Sequence, residues 1–566
     1  MKRLLSVILS VALIAAMATS CEKVTTAPSS STSVAASSAV AAKTWEGLGL
    51  KHPLQDVRVR QALAYAIDMD SIIATVFKGN AVKAKSLTSP GEWLDTGLVS
   101  YDYNVEKAKA LLKEAGWPAS YTLDVVYYYT DQQTVDLMAI IGQYWQAVGV
   151  KAQFRLITGD LASQLWVTPT DKTNGPSAIK WDMAYAAVAA LTESEFYTRF
   201  KSTASNNSAL PLQTGLDALI DKIGATTDSK QQIAAVKEVQ KFMNTNEIQI
   251  PLYHQVAFIF TSDKLDMNGN KVGNDQYSYE KNILDWKINR TDNTMYTSSG
   301  PTEFFMQTAL NPGLSLDQEL IFDKLINADT NLIPTDGMLA KSYAYSADQL
   351  TLDVVMRDGA KWHDNKPVTA DDVKFTMELY MKVPGANSIM TGAFGAIKGA
   401  KDYMDGKAEH ISGIVVTGNT LKITLDKVSP DLLMILSQWP ILPSHLLTLK
   451  DAATFQQNKF WQKPVGSGPF KVGTFVPNNY TTLVRWDGYY KTGTGNIKTI
   501  YMFAGGDNDL NTLKNMEGGK IDYAWNKSTD DAAAAAKISF MKVTKANIRY
   551  TRFFFINQFP HEANIK

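Results

Sequence analysis

Cysteine is all but missing from this chain: Cys21 is the only one in 566 residues. That excludes a disulfide framework and any cysteine-built metal site. Histidine is scarce as well, six in all, and no two stand at a ligand spacing such as i, i+4. A zinc-hydrolase reading therefore has little to build on. Charge of one sign is lacking too. Lys+Arg and Asp+Glu both number 56, for a formal net charge of +0. This removes a whole-chain basic field for nucleic acid or anionic lipid. What remains is 45% apolar and 20% charged, the balance of a globular protein, in a chain long enough for two or more cores.

The lone cysteine has an informative setting. Met1-Lys2-Arg3 is basic, and Leu4 to Met17 is an apolar run too short to span a bilayer. Ala18-Thr19-Ser20 then leads into Cys21, which resembles a bacterial lipoprotein signal with lipid attached to the thiol. Ala18 stands where that pattern usually has Leu. The alternative is an ordinary secretory signal with an incidental cysteine, and either way the expectation is export. Residues 24–42 are almost all Ser, Thr, Ala and Val, without charge or aromatic. Such a stretch buries too little to offset its ordering entropy, so 22–47 is expected to be a flexible tether after a 1–21 signal. No later segment is an uninterrupted apolar run of transmembrane length.

Beyond the tether, helix and strand patterns alternate. Val59, Ala62, Leu63, Ala66 and Ile67 share one helical face, with Arg58 and Arg60 expected elsewhere. Asn104 is placed to cap a helix that stops at Gly116. Tyr121–Tyr129, Thr134–Val148 and Val150–Ile157 read as strand, helix, strand, a βαβ unit. Thr369 to Asp372 reads as a capping pair, and Gly418-Asn419 as a hairpin turn between Ile414–Val416 and Leu421–Leu425. The fold class is mixed α/β.

Motifs of catalysis are mostly absent. Gly466-Ser467-Gly468 lacks the Lys-Ser/Thr of a phosphate loop and the spacing of a nucleophile elbow. Asp507, Asp509 and Glu517 do not have EF-hand spacing. Asp371-Asp372 fits a solvated helix start better than an acid/base pair. No cofactor and no metal site is expected.

Five segments together resemble the family 5 extracellular solute-binding proteins, the oligopeptide, dipeptide and nickel receptors of ABC importers. They are Asp56 to Asp68, Tyr103 to Trp117, Arg357 to Val373, Pro464 to Phe470, and Gly519 to Asp522. Asn365 stands where the family usually has Gly, and Asn tolerates the same left-handed turn. The order is unusual. In typical members the Trp362-His363-Asp364, Gly466 and Gly519 segments precede the Val57-Arg58 helix, whereas here they follow it. Arg552 to Asn557 resembles the strand that normally leads into that helix, and Ile250 to Tyr253 a segment near the usual end. The chain therefore reads as a circular permutant, with a chimeric or misassembled gene as the alternative.

The resemblance implies a two-lobed type II periplasmic-binding-protein clamshell with mixed sheets. The lobes would be 48–248 and 249–566, joined by one covalent crossing near Gln249 to Tyr253. It implies a monomeric lipoprotein, not an enzyme and not a nucleic-acid binder. Anchored at Cys21 and facing the periplasm or cell exterior, it would pass an oligopeptide or similar solute to a membrane permease. A carbohydrate receptor of the same fold is the alternative, and a secreted glycosidase using two carboxylates is the rival of another class. Peptide-binding members hold the ligand's α-amino group with an Asp shortly after Gly-Trp. Here the matching stretch, Asp182 to Leu191, has Ala187-Val188 for Gly-Trp and Leu191 for the Asp. Glu193 or Glu195 could substitute, and loss of the Asp moves weight toward a neutral ligand. Trp439 and Trp525 are the expected stacking residues, with core packing as the alternative for each. Trp362 and His363 are expected to hold the fold together.

Overall fold

The computed structural model describes residues 43–566, apart from 205, 270–271, 274, 306–315, 506–510, 563–564 and 566. The stretch expected to be a signal, Cys21 and most of the expected tether lie outside the described residues. No helix among the described residues is long and apolar enough to cross a membrane. Residues 43–47, expected as the end of the tether, pack on the body: the Trp45 amide donates to the Ala115 carbonyl at 2.9 Å.

Asp56 accepts from the Arg58 amide and starts helix α1 (Val57–Tyr65), whose apolar face is buried as its spacing requires. Arg60 departs from expectation: it is 3% exposed. Its guanidinium donates to the carbonyls of Leu54, Gln55, Asn246 and Glu247, which replace water around the charge. Burial still draws its pKa down to about 10. A short strand β1 (Ala81–Lys83) follows. Helix α2 (Val105–Ala115) is capped by Asn104 and ends at Gly116, where φ is 72°. Strand β2 (Thr122–Tyr127), helix α3 (Gln132–Ala147) and strand β3 (Lys151–Leu156) form the βαβ unit, with β2 and β3 parallel. Later, Thr369 and Asp372 make a reciprocal capping box on helix α4 (Ala370–Lys382). Asp372 is not solvated as expected, because Ser444 and the Trp362 indole also donate to it inside the core.

Most strands join one large mixed sheet. Strand β4 (Met183–Ala189) and strand β5 (Ile250–Ser262) come first. After them come β6 (Thr294–Gly300), β7 (Phe470–Val476), β8 (Tyr480–Arg485), β9 (Thr499–Ala504), β10 (Tyr523–Asn526) and β11 (Met541–Ile556). Their order is β7-β8-β9-β6-β10-β5-β11-β4-β2-β3, with β1 added to β5. A separate four-stranded sheet carries the expected hairpin, Ile414–Thr417 paired with Thr420–Thr424 across Gly418 at φ 57°.

The Trp362-His363 segment holds the Gly466 segment, as expected of fold-holding residues. The His363 amide donates to the Gly466 carbonyl, and the His363 ring bonds both the Gly466 amide and the Gly468 carbonyl. A Cβ on Gly466 would meet the Ile321 carbonyl oxygen at 1.8 Å, so the Gly-Ser-Gly run serves close backbone packing. Asn365 sits at φ 69°, the left-handed turn expected of it.

Two strands, not one, run between the cores. Residues 250–253 of β5 lie in the core under α1, while Ala257 and Ile259 lie in the largest core. Strand β11 does the same in reverse, from Ala546 and Ile548 to Phe554 and Ile556. The single covalent crossing expected near 249–253 is thus joined by a second one inside β11, whose last residues pair with β4 on one side and β5 on the other.

Candidate functional site

The second crossing builds the site. Asn547 of β11 faces Val256 of β5, but Thr551 faces His254, so β11 carries extra residues there and bulges. Side chains on one face of β11 begin in one core with Ala546 and Ile548 and end in another with Phe554 and Ile556. Between them stand Tyr550 and Arg552. Opposite, β4 offers Ala189 to Tyr550 and Ala187 to Arg552, small residues that leave room for large ones.

The Ala189–Tyr550 pair lines a cavity of about 320 Å³, and the Ala187–Arg552 pair lies next to it along the ladder. Leu191 and Glu195 line it from the β4 side, Trp525, Lys527 and Tyr550 from β10 and β11, and Tyr277 from a loop. Glu195 Oε2 accepts from the Leu191 amide at 2.8 Å, and burial pushes its carboxyl above the ordinary range. Trp525 is only partly buried and meets Tyr279 edge-on at 5.4 Å. Lys527 Nζ lies 5.0 Å from the Tyr550 ring centre.

Arg552 is 8% exposed. Its Cζ lies 3.8 Å over the Tyr129 ring, 5.1 Å from Tyr550 and 5.6 Å from Tyr185. Its Nε and Nη1 are buried with no hydrogen-bond partner among the described residues. Arg199, within electrostatic reach of Glu195 and Tyr128, also has a buried, unpartnered Nε, and burial pushes its pKa below the ordinary range.

The four residues singled out from sequence fall in different places. Leu191 and Trp525 meet at the cavity. Trp439 is 2% exposed inside the largest core, away from the cavity lining. Glu193 turns into a separate buried cluster: it lies 3.5 Å from Arg549, which pairs with Asp275 at 2.8 Å, and it accepts from Thr88 at 3.0 Å. Sequence reasoning missed Tyr277, Lys527, Tyr550 and Arg552. Strand parity through β11 points to the last two, but only once the bulge is known.

One trio of possible metal ligands converges among the described residues: His52, Asp182 and His561, with ligand atoms within 4.8 Å of one another. Its atoms are already committed. His561 Nε2 donates to Asp182 Oδ1 and its Nδ1 to the Phe559 carbonyl, both at 2.6 Å. The Tyr121 hydroxyl donates to the same carboxylate at 2.8 Å, and the Asp124 amide donates to Oδ2 at 2.7 Å. His52 Nδ1 accepts from the Leu54 amide, which leaves the proton on Nε2 for the Tyr121 oxygen. The His52 and His561 rings stack at 3.9 Å. This is the bonding of a structural joint.

A family model for bacterial extracellular solute-binding proteins, family 5, matches residues 20–207 and 335–561. The dipeptide-binding protein of Escherichia coli is 29% identical over 216 residues, 37% of this chain and 39% of that protein. The oligopeptide-binding protein OppA of Bacillus subtilis is 27% identical over 229 residues, 38% of this chain and 40% of that protein. The chain thus spans about two fifths of the length of these two relatives. Among solved structures, the oligopeptide-binding protein AppA of Bacillus subtilis in complex with a nonapeptide is 22% identical. It covers 44% of this chain and 46% of that chain, with a TM-score of 0.36.

Proposed function

This chain belongs to the bacterial extracellular solute-binding proteins, family 5, and from that premise we propose that it captures a peptide-like solute for an ABC permease. The observation that carries the reading is the cavity of about 320 Å³ at the strand crossing, within the roughly 300–1,000 Å³ typical of small-ligand sites. Aromatic faces at Trp525, Tyr277 and Tyr550 suit side-chain stacking, and Lys527 and Glu195 bring charge of both signs. A sugar would use the aromatic faces but not the charges, so peptide stands ahead of carbohydrate. A glycosidase needs two carboxylates at the reacting bond, and the cavity lining supplies only Glu195.

Export, lipid attachment at Cys21 and a monomeric state complete the proposal. The permuted order belongs to it as well, supported by the stacking of His52 on His561, one near each end of the described residues.

Native mass spectrometry of the purified full chain tests the reading. It should show a retained solute of peptide-like mass, released unchanged on denaturation. Trp525→Ala should weaken rebinding of that solute about tenfold. A chain that carries nothing and binds no peptide mixture would overturn the reading.

A further inference from the structure

A buried guanidinium without a counter-ion is costly, because desolvation of the charge is not repaid by attraction to a partner. Arg552 is in that position. It enters no ion pair among the described residues, and neither Nε nor Nη1 donates a hydrogen bond. The rings of Tyr129, Tyr185 and Tyr550 compensate through their faces, but a ring face does not take the in-plane N–H groups. Lys527 stands against the same Tyr550 ring, and Arg199 adds a third cation near Tyr128 and Glu195. Of these groups Lys527 lines the cavity, with Glu195, tied to the Leu191 amide, as the carboxylate of the lining, while Arg552 stands beside the lining, 5.1 Å from the Tyr550 ring. Among these cations it is the Arg552 guanidinium that has buried nitrogens and no counter-ion among the described residues.

We propose that this cavity selects a solute bearing a carboxylate, which docks on Arg552 and completes its hydrogen bonding, and that it does not require an ammonium group on the solute. The second half follows from Leu191, which offers no charge where an amine would need one. The proposal rests on the solute-binding reading and gives that site its ligand chemistry. It replaces the neutral ligand that the loss of the Asp at position 191 suggested. A planar carboxylate matches the guanidinium fork in geometry as well as charge.

The test uses the full chain, calorimetry and three probes: tri-alanine, its N-acetyl derivative and its C-terminal amide. Amidation should weaken binding by tenfold or more, whereas N-acetylation should change it by less than about threefold. Arg552→Met should bind the acid and the amide alike, and Arg552→Lys should keep part of the discrimination. The Met variant should melt no lower than the parent without ligand, because it removes an uncompensated charge. A clear fall in its melting temperature would make Arg552 a structural strut and overturn the proposal. Equal binding of acid and amide, or a larger loss on N-acetylation, would overturn it while leaving the solute-binding reading intact. If none of the three binds, the solute retained in native mass spectrometry decides: an anionic one supports the proposal, a neutral or cationic one overturns it. No retained solute removes the solute-binding reading itself.

Discussion

Strands β4 and β11 carry a buried polar cluster at each end, and the two have opposite chemistry. At one end Asp182, which immediately precedes β4, gathers His561, Tyr121 and the Asp124 amide, so its carboxylate is fully engaged. At the other end Arg552 faces Ala187 with two guanidinium nitrogens unbonded. Both sites are dry enough for an unmet hydrogen bond to cost free energy. The closed cluster therefore reads as a joint, and it fixes residue 52 to residue 561. The open one reads as half of a bond whose other half comes from outside the chain. Burial alone does not separate a structural charge from a binding charge; completeness of its partners does.

The largest effect should come from opening the closed cluster. Asp182→Ala strips the acceptor from the His561 ring, the Tyr121 hydroxyl and the Asp124 amide at once. Urea denaturation should show a loss of about 3–5 kcal/mol, since three donors around this buried carboxylate are left without an acceptor at about 1–3 kcal/mol each. A loss below about 1 kcal/mol would mean that water replaces the carboxylate freely, and the contrast between the clusters would collapse.

Acid should separate the two clusters next. Burial, with help from nearby His561 and against the pull of Asp182, lowers the pKa of His52 to about 3. Burial likewise takes His254 to about 3 and His363 to about 4. The unfolded chain binds protons at these positions below about pH 6.5 while the folded chain does not. Their contribution is thus present above about pH 6.5 and lost as pH falls toward the folded values. Each group should add a slope of about 1.4 kcal/mol per pH unit in that window. His52→Gln should reduce the slope by one such increment, whatever it does to stability at neutral pH. Arg552 does not titrate there, so Arg552→Met should leave the slope unchanged. An unaltered slope in the His52 variant would mean that this ring is protonated in the folded joint.

Much of the fold was legible because its signals are local. The Asn104 cap, Gly116, the βαβ spacing and the Thr369–Asp372 box each act within a few residues, and each forms as read. Arg60 was misread because the four carbonyls that accept from it include two near residue 246, distant in sequence. The site divides in the same way. Leu191 and Trp525 could be placed from neighbouring landmarks, and both line the cavity. Trp439 follows a helix whose apolar face takes it into the core. Arg552 sits in a run that reads as hydrophobic strand, and its exceptional setting depends on the bulge after Asn547 and on Ala187 across the ladder. Neither is visible in the residues around it.

The sign of a mutation should also distinguish the clusters. Arg552→Met removes an unpaired charge and gives up cation–π contacts, so the ligand-free protein should gain about 1 kcal/mol in urea denaturation. The gain should reverse in the presence of saturating tri-alanine, because only the parent is stabilised by ligand. A comparable gain in Asp182→Ala would erase the distinction drawn above.

The smallest effect on stability should come from the rim of the open cluster. Lys527 is partly exposed and interacts with Tyr550 through space at 5.0 Å, a contact of about 0.5–1 kcal/mol at such a site. Lys527→Gln should therefore move ligand-free stability by less than about 1 kcal/mol. Its effect on binding should lie elsewhere. A rim charge steers an approaching anion, and water and salt screen it, whereas Arg552 acts after desolvation. Stopped-flow tryptophan fluorescence with tri-alanine should show a slower association in Lys527→Gln, with a weaker dependence on salt than the parent. Its dissociation rate should change little. Arg552→Met should do the converse and raise the dissociation rate most. If both substitutions act on association alone, the guanidinium is screened like a surface charge, and the open cluster is no more a binding group than its rim.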